Sequence, residues 1–201
     1  MNRWLNRRCF AIALAVSGIL ALGNGQAKAS ILDFFDSATF SAGLWTYTYH
    51  ANLSGDQDAA TGDFTTIYDL AGINPGSVTI TPTVGTWGFT IQNTGITPSS
   101  VSPTDNPSIP NLTITNTGAK IAGTGSAQLL FSVSFTSTLA PGGGHDFASQ
   151  AHLAGSSTLN SNISHNLSGP LIPVPEPVSI LMLGLGLPAM GLAIRKKVRA
   201  V

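Results

Sequence analysis

Charge is what this chain has least of. Only 9% of its 201 residues are Asp, Glu, Lys or Arg, and the formal net charge is zero. The cations crowd at the two ends, as Arg3, Arg7, Arg8 and Lys28 and as Arg195, Lys196, Lys197 and Arg199. Between Ser30 and Pro173 the only cation is Lys120, against Asp33, Asp36, Asp56, Asp58, Asp63, Asp69, Asp105 and Asp146, so this span carries −7. With no positive stripe to neutralise phosphates, nucleic acid is excluded as a partner. The single cysteine, Cys9, sits near the N-terminus in a segment that reads as a leader, which leaves the mature chain neither a disulfide framework nor thiol chemistry. Glutamate is missing from the same span, so a glycosidase would have to pair two aspartates, and nothing in their spacing marks such a pair. No Gly-x-Ser-x-Gly elbow occurs, and His50, His145, His152 and His165 lack the spacings of zinc ligands. No catalytic residue is expected, and the chain reads as a non-enzyme.

What is present begins with an export signal. Arg3, Arg7 and Arg8 form a positive n-region, and Phe10 to Leu22 form an apolar h-region. Ala27 and Ala29 supply the small residues of a cleavage site, with Ser30 starting the mature protein. The Sec translocon and signal peptidase are the partners this segment implies. Residues 1–29 are therefore set apart as a signal helix.

The middle of the chain alternates with period two. Trp45, Tyr47 and Tyr49, then Val78 and Ile80, Trp87, Phe89 and Ile91, Leu112 and Ile114, and Phe131, Val133 and Phe135 are separated mostly by Thr, Ser and Asn. Such spacing places one face of each strand in a core and leaves the other wet. Turn signals such as Asn74-Pro75-Gly76, Asn93-Thr94-Gly95 and Asn116-Thr117-Gly118 punctuate the strands. The expected architecture is all-β: an antiparallel β-sandwich over 30–154, jelly-roll or immunoglobulin-like, with at most a helical turn or two over Asp33 to Phe40. Residues 155–173, rich in Ser, Asn and Pro, read as a partly ordered linker.

Three patterns in the domain invite a binding role. Trp45, Tyr47 and Tyr49 share a strand face and offer a platform for sugar rings, provided that face is exposed. Asp56, Asp58 and Asp63 lie in a glycine-bearing loop and offer oxygen ligands for calcium, although the loop lacks the spacing and terminal Glu of an EF-hand. Apart from this calcium option no cofactor is expected. Thr-x-Thr recurs at Thr46/Thr48, Thr79/Thr81 and Thr113/Thr115, as on some ice-binding surfaces, but without a fixed repeat. Asp33, Asp36 and Asp105 read as cap or turn residues.

The C-terminus, 174–201, has three parts. Pro175-Glu176-Pro177 is extended by its prolines, Val178 to Ile194 is uncharged and apolar, and Arg195, Lys196, Lys197 and Arg199 follow. The apolar part spans about 25 Å as a helix, just enough to cross a bilayer, and the basic cluster acts as the cytoplasmic stop-transfer charge. This order resembles the PEP-CTERM sorting signal of Gram-negative bacteria that make extracellular polysaccharide. The resemblance covers about residues 174–199. It implies recognition of Pro175, Glu176 and Pro177 by the membrane enzyme exosortase, with the apolar helix as a transient inner-membrane anchor. It further implies final placement in the outer envelope, on the cell surface, or in the polysaccharide matrix of a biofilm, in a structural or adhesive role. The competing readings are a carbohydrate-binding module, a hydrolase acting on matrix polysaccharide, and an ice-binding protein.

Overall fold

The computed structural model describes residues 30–172. The expected signal helix, with Ala27 and Ala29, and the expected transmembrane helix, with the sorting motif and the basic cluster, lie outside the described residues. Among the described residues no helix is long and apolar enough to cross a membrane.

Among the described residues ten strands follow one another, with a single 3-10 turn at Pro75–Ser77. The first sheet has the order β1 (Ile31–Ser41), β2 (Leu44–Leu53), β8 (Gln128–Ser137), β5 (Thr79–Pro82). The second has the order β10 (Leu159–Pro170), β9 (Pro141–Leu153), β4 (Phe64–Ile67), β7 (Asn111–Asn116), β6 (Trp87–Gln92), with the short β3 (Gln57–Asp58) also paired to β9. Every pairing is antiparallel. The inward residues of both sheets form one core, an arrangement that fits a sandwich. Tyr47, Tyr49 and Phe135 stack within it, and Trp87 tilts against Phe131 from the opposite sheet. The two buried tyrosine hydroxyls are satisfied at the rim, Tyr47 donating to Leu139 O and Tyr49 to Ser168 O, each at 2.8 Å.

The alternating segments are strands, as their period requires, but two expectations are corrected. Residues 33–40 are not helical: they belong to β1, paired with β2 from Ile31↔Leu53 to Ser41↔Leu44 around a bulge at Asp36. Tertiary pairing decides here, because Ile31, Asp33 and Phe35 face the core while Phe34 and Thr39 do not. The stretch 155–173 is not a linker over most of its length. Its Leu159–Pro170 part pairs with β9 through nine residues, with register shifts after Ser164 and Leu167, so the second sheet runs past 154. A polar strand of this kind is stable because its backbone supplies the pairing while Leu167 reaches the core, and polar side chains suit a sheet edge.

Buried hydrogen-bonding groups fasten the strand ends. His145 is buried, with Nδ1 3.0 Å from Tyr68 O and Nε2 2.7 Å from Pro170 O. Leu171 N donates to Ala140 O at 2.8 Å, so the last strand is held where it leaves the domain.

Candidate functional site

The acidic residues act mainly as loop anchors. Asp58 is buried, accepting from Gly123 N and Gly155 N at 2.9 Å and from Lys120 Nζ at 3.0 Å. These two amides, followed by Lys120, hold its carboxyl down at about 2. Asp63 accepts from Ala60 N at 2.7 Å and meets His152 Nδ1 at 2.8 Å, while burial pushes its carboxyl up. Asp56 is exposed at a turn. The expected calcium trio is therefore not assembled: Asp58 and Asp63 spend their oxygens on separate partners. Among the described residues no group of three His, Cys, Asp or Glu is placed to hold a metal.

A second set of acids pins residues 93–110, the long connection between β6 and β7. Asp69 accepts from Asn106 N, Asp146 accepts from Thr104 N and meets His165, and Asp105 accepts from Gly95 N and Asn111 Nδ2. Asp105 is thus a loop residue as expected, whereas Asp33 and Asp36 lie in a strand. The pinned connection roofs the outer side of the second sheet, where Ile96 O accepts from both Thr66 and Tyr68. Thr113 is covered there too, with its hydroxyl 2.9 Å from that of Thr66.

The expected aromatic platform faces the wrong way for a ligand. Tyr47 and Tyr49 are 0% and 1% exposed and belong to the core, and Trp45 packs against it. The face that β2 turns outward carries Thr46, Thr48 and His50 instead. Register extends it into ranks across the first sheet. One rank runs Ser37, Thr48, Ser134, Thr79, and the next runs Phe34, His50, Ser132, Thr81. Two of the Thr-x-Thr pairs thus lie on one surface, on either side of the serines of β8, and the third pair lies in the other sheet.

At the β1 end of this surface an aromatic group stands outward. Phe34 is 42% exposed and stacks on His50, with ring centroids 5.0 Å apart and planes 14° apart. Asp36, displaced by the bulge, meets His50 Nδ1 at 2.5 Å. Sequence alternation missed this trio, since Leu32-Asp33-Phe34-Phe35-Asp36 shows no period of two. The only available signal was the alternation of β2, which places His50 opposite Tyr49.

Comparison with known protein families, curated proteins and solved structures gives no match to this chain. What can be said of its role rests on its own residues.

Proposed function

We propose that the chain is an exported, non-enzymatic surface or matrix protein, delivered by the Sec route and handed to exosortase. The observation that carries this reading is the three-part C-terminus: Pro175-Glu176-Pro177, the apolar span Val178 to Ile194, then Arg195, Lys196, Lys197 and Arg199. The placement of the domain supports it. The last described strand ends at Pro170 and four residues separate it in sequence from Pro175, a reach of at most about 18 Å. In this reading the short connection keeps the folded body close to the membrane until the tail is processed. Its carboxylates support a role without chemistry, because Asp58, Asp63, Asp69, Asp105 and Asp146 each accept a backbone amide and hold a loop.

The finer fold fits a jelly roll better than an immunoglobulin fold. Pairs β4·β9, β5·β8 and β6·β7 nest as one long antiparallel ribbon that passes from the second sheet to the first and back. A role in the polysaccharide matrix, structural or adhesive, follows from the sorting signal and from the acidic, soluble character of the body. The test is localisation of Glu176→Ala combined with loss of the four terminal cations. Retention in the inner membrane, or failure to reach the envelope and medium, supports the reading; unchanged placement refutes it.

A further inference from the structure

We infer that the outer face of the first sheet is a docking surface for an uncharged polysaccharide, centred on Phe34, Asp36 and His50. This rests on the matrix role proposed above and names the surface and the ligand chemistry within it.

The two outer faces of the sandwich differ. Residues 93–110 cover the second sheet around β4, burying Thr66 and Thr113. On β2 and β8 the side chains of Thr48, His50, Ser132 and Ser134 remain partly accessible, and the turn around Pro75–Ser77 makes its hydrogen bonds to β8 at Thr136. Thr79 and Thr81 on the flanking β5 are exposed.

The chemistry of this face selects its occupant. Along β1, β2, β8 and β5 the one outward charged residue is Asp36, and it is engaged by His50. The domain as a whole carries −7, so an anionic polymer is repelled, and the face offers a cationic one a single carboxylate. What it presents is hydroxyl ranks about 4.8 Å apart between strands and about 6.7 Å apart along them. These groups donate and accept without charge, as the hydroxyls of a neutral sugar chain do. Phe34 adds an apolar ring for the C–H face of a pyranose. Beside it, Asp36 Oδ2 and His50 Nε2 have no protein partner among the described residues, so a carboxylate acceptor and a ring nitrogen stand within reach of sugar hydroxyls. An aromatic ring next to a carboxylate is the combination that fixes a sugar by its face and its edge. The ranks extend the contact over several units of the same chain.

The test uses the protein recovered from culture medium and envelope, with amorphous cellulose and a soluble galactomannan as neutral probes and alginate as the anionic control. The native protein is expected to bind at least one neutral polymer and not alginate. Phe34→Ala is expected to weaken binding at least about tenfold. Thr81→Lys, on an exposed position that leaves the core intact, is expected to weaken it as well. Phe89→Ala, an exposed aromatic on the second sheet, should leave it unchanged. Absence of binding to both neutral polymers overturns the inference. So does binding indifferent to Phe34→Ala and Thr81→Lys, or self-association through this face without any glycan, or ice-recrystallisation inhibition in its place. Correctly processed termini with no glycan binding would sink this inference alone, while glycan binding by a chain with intact termini would sink the sorting route alone.

Discussion

Thr65 Oγ1 donates a hydrogen bond to Asp33 Oδ2 across the interior of the sandwich, joining β4 of one sheet to β1 of the other. Both residues are buried, and burial pushes the Asp33 carboxyl from 3.8 up to about 7, against the opposing pull of Thr65 and His50. A folded-state value above the unfolded one means that the native protein keeps a proton the unfolded chain gives up. The associated stability is complete below about pH 4 and is lost as pH rises to about 7. At roughly 1.4 kcal/mol per unit the loss amounts to about 4 kcal/mol. Urea denaturation at pH 4.5 and pH 8 should show this decline, and Asp33→Asn should flatten it and raise stability at pH 8. An unchanged slope in the variant would show that Asp33 is not the titrating group.

Ala42 joins β1 to β2 with φ +50°, followed by Gly43 at φ +81°. Positive φ at both central residues is the two-residue hairpin geometry that favours Asn-Gly, and alanine is strained there. Ala42→Asn should stabilise the protein by about 1 kcal/mol, read as a rise in the urea midpoint without change in the slope.

Asp58 and Lys120 form an ion pair whose members differ in worth. The lysine is largely exposed while the carboxylate is buried and also holds two backbone amides. Lys120→Met should cost less than about 1 kcal/mol, since an exposed partner is screened by solvent. Asp58→Ala strands the amides of Gly123 and Gly155 and should cost about 2–3 kcal/mol. Because the Asp58 carboxyl is held down at about 2, its contribution is present above about pH 4 and fades as pH falls towards 2. Acid denaturation of the two variants separates these effects.

His145 bridges Tyr68 O and Pro170 O, so it fastens the end of β10 to the segment after β4. His145→Leu should speed exchange of the Leu171 amide, which donates to Ala140 O, with smaller change at the amides of β8. Equal acceleration everywhere would indicate global destabilisation instead of a released end.

The sequence revealed strands wherever apolar and small polar residues alternate. Leu112 and Ile114 of β7 and Phe131, Val133 and Phe135 of β8 carry that signal directly and lie in the core. It did not reveal β10, whose Asn and Ser residues are ordered by backbone pairing to β9 and not by an apolar stripe of their own. Nor did it reveal β1, where a buried aspartate and the Asp36 bulge break the period. Period-two spacing already put Tyr47 and Tyr49 on the packed face of β2, but it gave no sign that Phe34, from the neighbouring strand, stacks on His50 outside.

The proposed route requires the C-terminal segment to be removed after it has directed sorting. Intact-mass measurement of the protein from culture medium and envelope fractions tests this directly. The expected product is a chain that starts at Ser30 and ends close to Pro175-Glu176-Pro177. A full C-terminus through Val201 on protein held in the inner membrane would contradict it.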